Sequence, residues 1–240
     1  MGKKMSQALA DKLNSTLGAL TDLNALFDFL FNQELGSIAF STSLGQEDQV
    51  ITHHIATNKL PIEIFTLDTG RLFQETYDVL DITQRKFKTP IRVYAPNTVE
   101  VENLVTAKGP NSFYESVENR KECCGIRKIE PLKRALTGKN VWITGLRQSQ
   151  SQNRADLNFF SYDNAFNILK FNPLLHWSLE DVAAYLDRHK VPQNKLHAKG
   201  FVSIGCAPCT RAIAPGEDIR AGRWWWETSK KECGLHSIKS

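Results

Sequence analysis

Long apolar runs, a block of like charge and glycine-rich nucleotide fingerprints are all missing from this 240-residue chain. Each absence removes a class of function. The first apolar stretch, around Leu26–Phe31, is far too short to span a bilayer, so no membrane role is expected. No secretory leader is legible, and five cysteines are an odd number. A reducing, cytoplasmic setting is therefore expected, where thiols serve metals or catalysis rather than disulfides. The formal net charge of +4 is too small and too dispersed to call for nucleic acid, although arginines and lysines converging on one pocket would suit a small anion. Neither a Walker A loop nor a Rossmann glycine pattern occurs. Repeats, low-complexity tracts and long linkers are lacking too. The opening Met1-Gly2-Lys3-Lys4-Met5-Ser6 matches the short myristoylation pattern, but reads better as a basic, disordered start.

What is present is alternation. Leucines spaced by three and four over Ala8–Phe31 predict amphipathic helix, broken near Gly18. Strands are expected at Ser37–Phe40, Ile62–Leu67, Ile91–Tyr94, Val141–Thr144 and Phe166–Phe171. Helices are expected over Asp48–Ala56, Phe73–Phe87, Val99–Ala107 and Glu122–Leu136, with a last one capped by Ser178 and running to about His189. Buried strands alternating with helices predict an α/β fold on a parallel sheet. A domain of this size buries roughly 70–75% of its unfolded surface and needs no disulfide. One domain over residues 1–240 is expected: a helical segment (1–35), an α/β core (36–205) and a loop-rich tail (206–240) folding over that core.

Ligands of open α/β sheets sit at the carboxyl ends of strands, and three strand ends here are polar. The first runs Ser41-Thr42-Ser43-Leu44-Gly45-Gln46-Glu47-Asp48 into a helix, presenting N–H and hydroxyl donors suited to phosphate or sulfate. The alternative is a plain helix start capped by Ser43 or Thr42. The second ends in Leu67-Asp68-Thr69-Gly70-Arg71, and the fourth in Gly145-Leu146-Arg147-Gln148-Ser149-Gln150-Ser151.

The cysteines form two pairs and a remainder. Cys123-Cys124 is expected to open a helix, whose start would supply the kink that adjacent ligands of one centre need. Cys206-Ala207-Pro208-Cys209 aims two sulfurs one way. Four thiolates allow a zinc staple or an iron–sulfur cluster; the tandem pair is unusual for zinc and leans toward [4Fe–4S]. Lys128, one helical turn beyond Cys124, would stand between such a centre and a bound anion. In the tail, Arg220 and Arg223 could reach one anion, and Trp224-Trp225-Trp226 would clamp a mobile segment. Cys233, with His236 nearby, is a candidate nucleophile.

Taken together, from the Ser-Thr-Ser-Leu-Gly-Gln-Glu-Asp loop to the closing Glu232-Cys233-Gly234-Leu235-His236, residues 36–236 resemble the assimilatory sulfonucleotide reductases. The resemblance implies an adenine-nucleotide α-hydrolase-like (PP-loop) fold. It places the chain in the branch that holds one [4Fe–4S] cluster on Cys123, Cys124, Cys206 and Cys209 and uses adenosine 5′-phosphosulfate (APS) rather than its 3′-phosphorylated form (PAPS). It further implies attack by Cys233 on the sulfate sulfur, release of AMP, and discharge of an S-sulfocysteine by thioredoxin to give sulfite for cysteine biosynthesis. Lys128 and His236 would assist catalysis. Ser41, Ser43, Gly45, Asp48, Leu67, Asp68, Gly70, Arg147, Arg220 and Arg223 would bind substrate. A homo-oligomer is compatible with all of this. Competing readings are PAPS reduction, an ATP-using PP-loop enzyme with a cluster, and a zinc-stapled binding module.

Overall fold

The computed structural model of the chain describes residues 4–18, 20–150 and 156–227. Two helices, α1 (Gln7–Leu17) and α2 (Leu23–Asn32), precede the alternating part. Ser6 caps α1 by accepting from the Leu9 N–H, and Met5 is buried, so order begins within the stretch expected to be disordered. The break falls at Gly18, whose φ of 62° lies in the left-handed region that glycine enters freely.

Among the described residues six strands follow: β1 (Ile38–Ser41), β2 (Glu63–Leu67), β3 (Ile91–Tyr94), β4 (Val141–Ile143), β5 (Phe160–Asp163) and β6 (Ile168–Phe171). They form one sheet in the order β3-β2-β1-β4-β6-β5. β1 pairs in parallel with β2 and β4, and β4 with β6. The expected parallel sheet is thus mixed at one edge, where β5 and β6 form an antiparallel hairpin. The remaining helices are α3 (Gln46–Thr57), α4 (Gln74–Phe87), α5 (Thr98–Lys108), α6 (Val117–Cys124), α7 (Glu130–Leu136) and α8 (Leu179–Arg188). Ser178 caps α8 through a reciprocal capping box with Asp181, matching the expected start.

The chain divides into two compact units. The first comprises Met1–Phe65, Val79–Arg92 and Leu136–Gln193; the second comprises Thr66–Asp78, Val93–Ala135 and Asn194–Ser240. A continuous apolar cluster fills the first, with Phe27, Leu26, Leu30, Phe40, Val50, Ile51, Phe160 and Phe171 almost wholly excluded from solvent. Phe160 stacks on Phe171 at 4.7 Å, and Phe27 meets Phe171 edge-on at 5.9 Å. The second unit is built differently: Arg120, Arg127, Arg223, Thr69 and Thr210 are all buried beside Trp224 and Cys206.

Candidate active site

Strand order locates the switch point in the first unit. From β1 the chain winds through β2 to β3 on one side, then returns to place β4 on β1's other flank. Crevices of open α/β sheets lie outside the carboxyl ends of the strands at such a point. The two loops there are Ser41–Asp48 after β1 and the segment opening at Gly145 after β4.

These loops are tightly packed. Asp48 is buried, and its Oδ2 accepts from both the Ser43 N–H and the Ser43 hydroxyl, each at 2.6 Å. Leu44 sits at φ 63°, strained for a residue with a side chain, and its N–H donates to Thr42 Oγ1 at 3.0 Å. Neither Ser43 nor Thr42 caps α3; the cap position falls on Gly45, which offers no side chain. A Cβ at Gly145 would stand 2.3 Å from Asp48 Oδ1, so only glycine lets β4's end approach this loop. Burial pushes the Asp48 carboxyl up to about 6, against the lowering pull of its Ser43 hydrogen bonds. Ser41 Oγ accepts from the Trp142 indole N–H at 2.8 Å. Arg147 is buried; its guanidinium meets Glu47 at 2.9 Å and also reaches Ser149 Oγ and the Trp177 carbonyl. Its charge is engaged within the protein.

The second unit carries the turn after β2 and the cysteines. Asp68 Oδ1 accepts from the Gly70 N–H and the Tyr77 hydroxyl, both at 2.8 Å. Gly70 lies at φ 68°. Burial, followed by the hydrogen bond to Asp68, pushes the Tyr77 phenol up to about 12. Thr69 ties this turn to the cysteine region: its carbonyl accepts from Arg127 Nη1 at 2.8 Å, and its hydroxyl lies 3.3 Å from Cys206 Sγ. Arg71 contributes its carbonyl to the Ala207 N–H at 2.8 Å. Thr69 lies within the turn Leu67–Gly70 that was expected to meet the nucleotide, whereas Arg127 and Arg71 were not singled out; their signal was adjacency to Lys128 and Gly70.

Cys123 and Cys124 do not open a helix. They close α6, which begins at Val117 behind a Ser116 cap, and are followed by a π-helical turn over Gly125–Ile129. That turn carries one residue more than an α-helical turn does. Cys206 leads the 3-10 turn Ala207–Cys209. All four cysteines line one cavity, together with Arg71, Phe113, Arg120, Arg127, Lys128, Pro208 and Trp224. Among the described residues, no three His, Cys, Asp or Glu side chains converge on a single metal ion. Burial raises the Cys123 thiol against the pull of Arg127, and pushes Cys209 up to about 12. Burial would raise Cys206 as well, but Lys128, Thr69 and Arg223 outweigh it, and that thiol lies below its ordinary value.

Arg223 is buried against Gly205, where a Cβ would collide with its guanidinium at 2.4 Å. Its main chain bridges Thr210, and the Trp224 N–H donates to the Cys209 carbonyl at 3.2 Å. Trp224, at φ 41°, has the guanidiniums of Arg120 and Arg223 over its ring, at 4.7 and 4.8 Å. Arg120 forms a buried ion pair with Glu227 at 2.5 Å, and Trp226 packs on Tyr114 at 4.5 Å. The tryptophan run packs into the second unit with Trp224 in its interior and Trp225 exposed. Arg220 is half-buried, its N–H donating to Asp218 at 2.8 Å. Cys233 and His236 lie outside the described residues.

The profile of the phosphoadenosine phosphosulfate reductase domain matches residues 37–212. The chain belongs to that family. Among its relatives are the adenosine 5′-phosphosulfate reductases of Allochromatium vinosum, 53% identical over 85% of this chain and 80% of the relative, and of Agrobacterium fabrum, 49% identical over 93% and 86%. Among solved structures, the phosphate complex of phosphoadenylyl-sulfate reductase from Candida auris is 28% identical, with a TM-score of 0.74 over 89% of this chain and all of that one. The FMN adenylyltransferase of Candida glabrata, at 16% identity and a TM-score of 0.52 over 97% and 85%, shares the fold alone. The α/β, PP-loop-like architecture of the reductase family is thus present. No helix among the described residues is long and apolar enough to cross a membrane.

Proposed function

We propose that this chain reduces APS to sulfite and AMP as a single 240-residue reductase domain, with a dithiol protein of the thioredoxin kind as electron donor. The observation that carries the reading is the meeting of two distant cysteine pairs at one cavity beside Lys128, in a chain about half identical to relatives named for that activity. The donor set suits a [4Fe–4S] cluster. Four thiols surround the cavity, and four cations line it, appropriate to a centre carrying net negative charge. Arg127 Nε and Trp224 Nε1 are buried N–H groups without a partner among the described residues, and both residues line the cavity. Such donors fit a group rich in sulfide acceptors. When bound, the cluster would supply a fixed negative centre that orders the surrounding cations.

In this reading the loop at Ser41–Asp48 and the turn at Leu67–Gly70 hold the nucleotide. Lys128, with Arg220 and Arg223, offsets charge on the sulfate end, and Arg147 braces the loop through Glu47. The Cys233 thiolate attacks the sulfate sulfur; an S–S bond forms, the S–O bond to AMP breaks, and AMP leaves with the electron pair. A thiolate of the reduced donor then attacks Cys233 Sγ and releases sulfite. A second donor thiol resolves the mixed disulfide, so two electrons reach sulfur without a one-electron carrier. His236 stands close enough in sequence to assist the thiolate.

The test is sulfite formation under anaerobic conditions with reduced thioredoxin, comparing APS with PAPS, on protein assayed for about four irons per chain. APS turnover without ATP separates this reading from an ATP-using relative, and preference for PAPS would overturn the substrate. Cys233→Ser should lower turnover by on the order of 10⁴-fold or more while AMP binding survives. Lys128→Ala should reduce kcat more than it changes thermal stability.

A further inference from the structure

Resting on the functional reading above, we infer that Asp48 is a positioning residue: its carboxylate holds the Ser41–Gly45 loop in the shape that receives the nucleotide and orients the Ser43 hydroxyl toward it. The residue was expected to bind substrate directly. Its geometry argues otherwise. Asp48 is buried, while Ser43 is exposed. Oδ2 accepts both hydrogen bonds that Ser43 can donate, from N–H and from Oγ–H. Oδ1 faces the Cα of Gly145 at a separation that leaves no room for a side chain. The carboxylate is enclosed by its own loop and the end of β4, on the protein side of the loop.

Two consequences follow from the chemistry of the groups. An ionised carboxylate only accepts hydrogen bonds. The Ser43 hydroxyl proton is therefore spent on Asp48, and Ser43 meets a ligand as an acceptor. Ser41 is the opposite case. Its oxygen accepts from the Trp142 N–H at 2.8 Å, so its own proton remains to be donated to an anion. The loop thus carries one oriented donor and one oriented acceptor, two residues apart. The strained Leu44 between them, at φ 63°, stays in place because the flanking hydrogen bonds hold it.

Burial raises the Asp48 carboxyl, so at neutral pH the fold would gain by losing its charge. A residue that only stabilised the fold would show the reverse. Asp48→Asn is nearly isosteric but turns an amide donor or a single acceptor toward two Ser43 donors. The experiment is calorimetric titration of the full chain with AMP at pH 7.5, alongside thermal melts, for wild type, Asp48→Asn, Ser43→Ala and the double variant.

We expect Asp48→Asn to weaken AMP binding at least tenfold with a melting temperature equal to or above wild type. Ser43→Ala should weaken it less. The double variant should bind no more weakly than Asp48→Asn alone, because one residue acts through the other. Wild-type binding of AMP with an unaffected Asp48→Asn overturns this inference and leaves the functional reading standing. A lowered melting temperature in Asp48→Asn with normal binding assigns the residue to the fold and also overturns it. Effects that simply add in the double variant exclude action through Ser43. Failure of the wild type to bind AMP removes the functional reading and the inference together.

Discussion

The two units differ in what they bury. The first fills most of its interior with aliphatic and phenyl side chains around Phe171; Lys139–Glu63 is partly exposed there, while Arg147 is buried against Glu47 beside the β1 loop. The second buries three arginines, a threonine hydroxyl against a thiol, and a tryptophan in contact with two guanidiniums. Apolar burial is non-directional and tolerates rearrangement at constant volume. Buried charge is directional and unfavourable unless each group is met. A unit built on such contacts holds a defined arrangement at the expense of stability, whereas a unit built on an apolar core holds its fold and lets its loops vary.

If this contrast is sound, damage to the two units should separate. Cys206→Ser has the largest expected effect: iron is lost and sulfite formation falls by at least about a hundredfold, while far-ultraviolet circular dichroism stays close to wild type. Global unfolding of that variant would break the contrast, since the second unit would then be indispensable to the first.

Phe171→Ala removes a fully buried ring from the apolar cluster and should lower stability by about 3–5 kcal/mol, read by urea unfolding, with iron per folded chain unchanged. Arg120→Ala strands the Glu227 carboxylate and removes one of the two guanidiniums over Trp224. Its expected loss is of similar size, about 3–5 kcal/mol. Here iron content and protease resistance of the tail should fall together. A stable Arg120→Ala protein with full iron would show that the buried pair contributes nothing to holding the cysteine-lined cavity.

The smallest effect lies in the first unit and concerns pH. Asp48 is raised from 3.8 to about 6, so the folded state takes up its proton more readily than the unfolded chain. Its stabilising contribution is full below about 4 and is lost as pH rises through 6. His54, buried against Phe27 at 4.6 Å, is lowered from 6.5 to about 4, chiefly by burial. It is the mirror image: its contribution is full above about 6.5 and is lost as pH falls toward 4. Across pH 6 to 5 each slope amounts to roughly 1 kcal/mol per unit, and they oppose. Melting temperatures should therefore vary little in wild type. They should fall with acid by about 2–4 °C in Asp48→Asn and rise in His54→Gln. Parallel curves for all three proteins would exclude the pairing.

Much of this architecture was legible in the sequence, because β1 to β4 are short, predominantly apolar segments and α1, α2 and α4 carry clear helical periodicity. Where the signal failed, a physical reason is visible. Val117-Glu118-Asn119-Arg120-Lys121-Glu122 has no apolar stripe, so the start of α6 was invisible and the cysteine pair was read as a beginning instead of an end. β5 is four residues long and edges the sheet, and Phe160-Ser161-Tyr162-Asp163 is too brief for alternation to register. The loops at the strand ends were located correctly as polar segments. What sequence could not reveal was the direction in which each polar group spends its hydrogen bonds. That is why the partners that Asp48 and Arg147 find within the protein, Ser43 and Glu47, were not legible beforehand.

The π-helical turn carries a last consequence. Between Val117 and Leu136 the backbone is helical throughout, with Glu130 N–H reaching back five residues to the Gly125 carbonyl. In effect, one surplus residue has been inserted into an otherwise regular helix. Deleting Gly125 would erase the surplus and restore an uninterrupted α-helix, locally a better-bonded one. It would also turn everything downstream by about 100° relative to Cys123 and Cys124. Arg127 and Lys128 would then leave the side of the helix that carries the thiols. Helical phase at this point is thus a coding variable: the frame of a single residue decides whether cations and cysteines share a face.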